Sequence, residues 1–180
     1  MKRCHWVDEN NALYVKYHDE EWGVPQYEDD KLFEFLLLES FQAGLSWITI
    51  LKKREAFRLA FDHFQVAKIA AYKEDKIKKL LENAEIIRSR NKIEAAVSNA
   101  RIFMNIQKEY GSFSKYIWHF TNGQILKNKT DKIPVSSPLS DEISKDLKKR
   151  GMKYVGTVIV YSYLQAIGII NDHEKDCFKY

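Results

Sequence analysis

The chain has 180 residues, 45% of them hydrophobic and 13% aromatic, which is enough length for one domain with a real core and too apolar a composition for disorder. Lys and Arg number 29 against 25 Asp and Glu, a net charge of +4 that permits a polyanionic partner without requiring one. No run approaches the roughly 18 uninterrupted apolar residues of a membrane span, and Met1-Lys2-Arg3-Cys4 is not followed by an apolar signal-peptide core, so a soluble cytoplasmic protein with no membrane partner is expected.

From Met1 to Pro25 the chain is aromatic and polar, without clear periodicity, and reads as short turns and loops laid over a core. Asp29 or Asp30 can cap a helix that runs through Leu32, Phe33, Leu36 and Leu37 to about Ala43, where Gly44 ends it. Ser46 can cap the next, whose apolar positions Trp47, Ile48, Leu51 and Phe57 recur at helical spacing up to about Phe61. Short helices over Val66 to Tyr72 and Asp75 to Asn83 follow, then a longer one from about Asn91 to Tyr110 stopped by Gly111, and a short aromatic one from Phe113 to Phe120. Thr121 to Pro138 is polar, carries two of the three prolines and reads as a surface connection. Ser140 caps a helix with Asp141 and Glu142 in its first turn and Lys148, Lys149 and Arg150 in its last, both favourable to the helix dipole, and Gly151 stops it. The segment from Thr157 to about Ile167 is apolar nearly all round, so this last helix must be largely buried. The elements predict an all-α fold in one domain, residues 1–180.

Four features carry chemistry. In the run Leu36 to Trp47, Glu39 is either a surface residue on a polar stripe or a desolvated carboxylate that needs a donor or a cationic ligand. The turn Gly151-Met152-Lys153-Tyr154-Val155-Gly156, with Lys148, Lys149 and Arg150 beside it, is either an ordinary helical hairpin or a seat for a nucleic-acid phosphate on free amide N–H groups. Cys4 and His18 near the start, with His173 and Cys177 near the end, are either unrelated side chains or a closed tetrahedral zinc site; four protein ligands would make the ion structural. Trp6, Tyr14, Tyr17, Trp22 and Trp47 are either core aromatics or a wall around Glu39 suited to a flat, cationic, nitrogen-rich ligand.

The chain resembles the type I 3-methyladenine DNA glycosylases of the helix-hairpin-helix superfamily. The resemblance runs nearly end to end, through Arg3-Cys4-His5-Trp6, Tyr17-His18-Asp19-Glu20-Glu21-Trp22-Gly23-Val24-Pro25, Glu39 with Gln42-Ala43-Gly44-Leu45-Ser46-Trp47, and Leu51-Lys52-Lys53-Arg54-Glu55. It continues through Ile87-Arg88-Ser89-Arg90-Asn91-Lys92-Ile93, Lys148 to Thr157, and Asn171-Asp172-His173 with Cys177. The resemblance implies a helix-hairpin-helix glycosylase fold, with the motif over about residues 140–168, acting as a monomer on double-stranded alkylated DNA. It implies release of 3-methyladenine, the free product ligand, by base flipping and glycosidic hydrolysis.

By the same resemblance, Glu39 and Tyr17 serve catalysis and bind the base together with Trp47, Trp6, Tyr14 and Trp22. Leu45, beside Gly44, enters the gap left by the extruded nucleotide, while Gly151, Lys153, Gly156 and Thr157 hold the DNA backbone. Cys4, His18, His173 and Cys177 bind a structural Zn2+ that pins the termini. Lyase-active relatives in the wider superfamily carry a lysine just after the second hairpin glycine; Thr157 and Val158 stand there, so a monofunctional hydrolase is expected. Asp172 reads as structural.

Overall fold

Ten consecutive residues of one helix, Leu32 to Phe41, are buried, and the rest of the chain packs around them. The computed structural model describes residues 1–127 and 132–180. In chain order the elements are α1 (Ala12–Glu20), α2 (Asp29–Gln42), α3 (Trp47–Ala60), a 3-10 turn (Asp62–Phe64), α4 (Val66–Ala70), α5 (Glu74–Glu82), α6 (Arg90–Tyr110) and α7 (Phe113–His119). β1 (Leu126–Lys127), α8 (Pro138–Lys149), α9 (Thr157–Ala166) and β2 (Ile170–Asn171) complete it. Helix α2 is covered on all sides because α3, α6, α7 and α9 each pack against it. Aromatic pairs fill the seams: Phe33 meets Phe103 at 5.1 Å between ring centroids, and Phe41 meets Phe57 at 4.8 Å. Full burial of such a side chain contributes about 1.5–3 kcal/mol, so the α2 seams dominate the stability of the fold.

Three local features differ from expectation. Residues 12–20 form a helix instead of loops. Asn11 starts it, its side chain accepting from Leu13 N at 3.1 Å, and the buried face is Tyr17 and His18 rather than an aliphatic stripe. Helix α8 starts one turn before Ser140: Ser137 is the cap, Pro138 stands in the first turn, and Ser140 closes a capping box by accepting from Ser137 N at 2.8 Å. The connection after Thr121 carries a two-residue strand, β1, which pairs in parallel with β2; residues 128–131 of that expected surface connection lie outside the described part.

The turn between α8 and α9 is closely tied. Gly151 adopts φ +98°, a left-handed conformation that a side chain would strain. Ser144 Oγ donates to Val155 O at 2.7 Å, and the Ser140 and Thr157 hydroxyls share a hydrogen bond of 2.8 Å. The two helices therefore form one braced unit packed on α2. Among the described residues no helix is long and apolar enough to cross a membrane.

Candidate active site

The amino-terminal segment lies across α2 at the level of Glu39 and encloses a cavity of about 600 Å³. Tyr14, Tyr17 and His18 stand three and four residues apart on α1 and so share one face. That face turns Tyr14 and Tyr17 into the cavity wall, and Trp6, Trp22, Glu39 and Trp47 complete the set of six anticipated residues that line it. The rings brace one another: Trp6 meets Trp22 at 5.0 Å and Tyr14 at 5.7 Å, and Tyr17 meets Trp47 at 5.4 Å. Seven further lining residues escaped the sequence reading: His5, Gln42, Lys132, Ile133, Ser162, Gln165 and Glu174. Gln42 sits one helical turn after Glu39, and that i,i+3 spacing is the signal that could have found it.

Two buried carboxylates on α2 have opposite surroundings. Glu34 accepts from Arg54 Nε at 2.7 Å, Arg58 at 2.8 Å and Lys31 at 3.0 Å. Burial alone would raise its pKa, but Arg54 and Lys31 outweigh burial and hold it below the ordinary carboxylate range. Among the described residues Glu39 has no such partner. Burial pushes its pKa up to about 8, and it stands uncompensated in the cavity wall. The Tyr17 phenol is raised as well, by burial first and then by the nearby Glu39. Five buried side-chain polar atoms lack a hydrogen-bond partner among the described residues, and three of them, Trp6 Nε1, Trp47 Nε1 and Glu39 Oε2, belong to cavity residues. Two donors and an acceptor left open in one aromatic enclosure suit a flat polar occupant.

A second cluster packs behind the aromatic wall. The donor atoms of Cys4, His18 and Cys177 lie within 4.8 Å of one another, all buried. His18 Nδ1 donates to Asp19 Oδ1 at 2.8 Å, and Asp19 is itself gripped by Arg3, which leaves His18 Nε2 as the lone pair facing the two sulfurs. His173 is not within that distance set, but its ring centroid is 5.2 Å from that of His18. Its Nδ1 is occupied by Asn171 Oδ1 at 2.8 Å, and its Nε2 is buried without a partner. Backbone N–H groups of Glu174 and Lys179 donate to the sulfurs of Cys4 and Cys177 at 3.5 and 3.4 Å. Two sulfurs supported by amides and the His18 imidazole beside them form a soft-donor group that could hold a metal ion. The cluster touches the cavity wall directly, since Trp22 meets His173 at 4.7 Å and Trp6 meets His18 at 5.5 Å.

At the other end of α2, Gly44 turns the chain with φ +83° and leaves Leu45 exposed at the head of α3. In the α8–α9 turn, Gly156 precedes an α9 N-terminus that no side chain caps, and the space its missing Cβ would fill is open. Lys153 is exposed, and Thr157 is half-buried beside Ser140. Arg150, grouped with the basic residues of this turn, is engaged elsewhere: Glu109 takes two of its nitrogens at 2.6 and 3.1 Å and Asp146 a third at 2.7 Å. Asp172 is buried and receives Tyr161 Oη at 2.7 Å and Gln165 Nε2 at 2.6 Å, so it orients a cavity residue from behind.

The chain is similar to known proteins in sequence and in fold. The chain is 47% identical to DNA-3-methyladenine glycosylase 1 of Escherichia coli (strain K12), over 100% of its own length and 97% of the relative's. It superposes on a crystal structure of 3-methyladenine DNA glycosylase I with a TM-score of 0.94, at 48% identity and covering 98% of each chain. The same score relates it to 3-methyladenine DNA glycosylase I from Staphylococcus aureus, solved to explain 3-methyladenine recognition, at 38% identity over 99% of this chain and 96% of that one. With the methyladenine glycosylase model matching residues 6–180 and full-length likeness in both sequence and fold, the chain belongs to the methyladenine glycosylase family.

Proposed function

We propose that the chain excises 3-methyladenine from alkylated double-stranded DNA by flipping the base into the aromatic cavity and hydrolysing its glycosidic bond, as a monomer without lyase activity. The observation that carries this reading is Glu39, a buried carboxylate with no partner among the described residues, in a cavity walled by aromatic rings. Methylation at N3 makes the base cationic in DNA. Ionising Glu39 at neutral pH costs about 1.4 kcal/mol, given its pKa of about 8. A cationic base about 4 Å away returns about 4 kcal/mol at the effective dielectric of such a site. Attraction therefore wins for the damaged base, and a neutral purine offers nothing comparable. Trp47 and Tyr17 border the flat ring, Trp6, Tyr14 and Trp22 complete the enclosure, and cation–π attraction favours the same charge.

The positive charge also makes the base a good leaving group. The bond from C1′ to the base breaks with its electron pair moving to the base, which becomes neutral; the oxygen of water bonds to C1′ and its proton passes to solvent. Glu39 and Tyr17 act by contacting the base, not by donating a proton to it. Extrusion costs a few kcal/mol, and Leu45, exposed at the Gly44 break, would fill the gap and offset part of that cost. The α8–α9 pair serves as the helix-hairpin-helix motif: the open approach at Gly156, the amides at Thr157, the Gly151 turn and exposed Lys153 suit a DNA phosphate. Val158 follows Thr157, so no amine stands ready for a Schiff base. Cys4, His18, His173 and Cys177 would hold a structural Zn2+ that fastens both ends of the chain behind the cavity wall; with four protein donors it has no open position for chemistry.

The test is release of free base. The protein is incubated with methylated duplex DNA, and 3-methyladenine and strand breaks are followed separately. We expect released base and alkali-labile but unbroken strands, with Leu45→Ala slowing release from duplex while binding free 3-methyladenine normally. No release by folded protein would overturn the assignment; strand cleavage without alkali would overturn the monofunctional part of it.

A further inference from the structure

Helix α6 reaches both elements assigned above to DNA. At one of its turns, Lys92 Nζ donates to Ala43 O at 2.7 Å and to Phe41 O at 2.9 Å, the last carbonyls of α2 before the Gly44–Leu45 break. Seven residues on, two turns further along the same face, Asn99 grips the α8–α9 turn from both sides. Its Nδ2 donates to Lys153 O at 2.9 Å, and its Oδ1 accepts from Lys153 N at 2.9 Å. The two grips converge on Tyr154, a left-handed residue at φ +56°. The Lys92 ammonium lies 6.0 Å from the Tyr154 ring centroid, and the Tyr154 carbonyl receives the Ser40 hydroxyl of α2 at 3.5 Å. Asn99 is buried, and so are its helix neighbours Ala95, Ala96 and Ala100, which seats this stretch of α6 firmly in the core.

We propose that Lys92 is a positioning residue that sets the Gly44–Leu45 turn in register with the α8–α9 turn, so that the wedge and the phosphate seat meet one duplex together. This rests on the reading of those two turns under the proposed function. A helix end held only by its own hydrogen bonds frays, and Ala43, with ψ 114°, already leaves the helical conformation. Lys92 supplies a charged donor to two of the carbonyls left open there, at the negative end of the α2 dipole. Neither Lys92 nor Asn99 lines the base cavity. Loss of the Lys92 contacts therefore lets the wedge drift relative to the phosphate seat and leaves the cavity intact.

The experiment compares the full chain with Lys92→Met, which keeps the stem and removes the donors, and with Lys92→Arg, which restores them. Three quantities are read: single-turnover release of 3-methyladenine from methylated duplex, release from methylated single strands, and affinity for free 3-methyladenine by tryptophan quenching. We expect Lys92→Met to slow duplex release by about tenfold or more and to change free-base affinity by less than about twofold. The deficit should shrink on single strands, where no base need be pushed from a stack, and Lys92→Arg should recover much of the duplex rate. Duplex release unchanged in Lys92→Met overturns the proposal, and so does an equal loss on both substrates with weakened free-base binding, which marks general damage. Should Lys92→Met not fold, Lys92→Leu, which likewise removes the donors, is held to the same criteria. A parent protein that releases no base at all would instead overturn the proposed function, so the two failures are distinct.

Discussion

Replacing Glu39 by glutamine should make the protein more resistant to unfolding at alkaline pH while weakening its hold on a cationic base. The carboxyl keeps its proton in the folded chain up to pH about 8 but sheds it near 4.5 when unfolded. Between those values the folded state binds the extra proton, so stability falls as pH rises, and above about 8 the full penalty is in place. Each pKa unit is worth about 1.4 kcal/mol, which bounds the penalty at about 5 kcal/mol. Water entering the cavity mouth screens the charge and reduces a realistic value to about 2 kcal/mol. The glutamine side chain fills the same space and does not titrate. Urea unfolding of both proteins at about pH 4 and about pH 8.5 should then show the parent losing about 2 kcal/mol relative to Glu39→Gln over that span. Parallel stabilities at the two pH values would refute the reasoning, because they would mean that Glu39 is solvated in the folded protein.

Glu34→Ala should have the opposite character: it removes the carboxylate that Arg54, Arg58 and Lys31 share, and urea unfolding at neutral pH should register a loss of about 3 kcal/mol. Because the Glu34 pKa is depressed, its contribution is present above about pH 4.5 and fades as pH falls, so the parent and the variant should converge in acid; a gap that persists there would count against the ion network. Cys177→Ser, or treatment of the parent with a chelator, should lower the melting temperature by roughly 5 °C or more, with excision persisting in whatever protein remains folded. An unchanged melting temperature in chelator would remove the structural metal from the account, and loss of excision without loss of fold would make the ion catalytic.

Much of the site was legible because its chemistry is conspicuous in one dimension. A single carboxylate after Leu36-Leu37-Leu38, a glycine break followed by an exposed leucine, and two cysteines at opposite ends of the chain each stand out from their surroundings. Helix α1 did not, because the residues it buries are Tyr17 and His18 while Leu13 is exposed, so an aliphatic count finds no stripe. Gln165 carries no charge and follows no pattern of its own, so only the packing of α9 turns it toward the cavity, whereas Gln42 is marked in the sequence by nothing but its spacing from Glu39. Arg150 was misplaced for a related reason. In the run Lys148-Lys149-Arg150 it looks available, and its capture by Glu109 depends on α6 passing close to the end of α8. The start of α8 shifted by one turn because Ser137 and Ser140 are both competent caps, and only the reciprocal hydrogen bonds distinguish the cap from its third-position partner.

The cavity is walled on one side by His5, Trp6 and residues up to Trp22, and on the other by Ser162, Gln165 and Glu174. Phe178 N donates to Lys2 O at 2.9 Å, and Lys2 pairs with Asp176, so these two remote stretches are sewn edge to edge. During synthesis the first of them leaves the ribosome on the order of ten seconds before the second, at about 5–20 residues per second. Throughout that interval Trp22 lacks its His173 backing, and Glu39 lacks the cavity wall formed by Ser162, Gln165 and Glu174. The growing chain thus holds Glu39 and the aromatic side of the cavity before it holds the opposite wall, and the chamber closes only when α9 and the segment after it pack against α2.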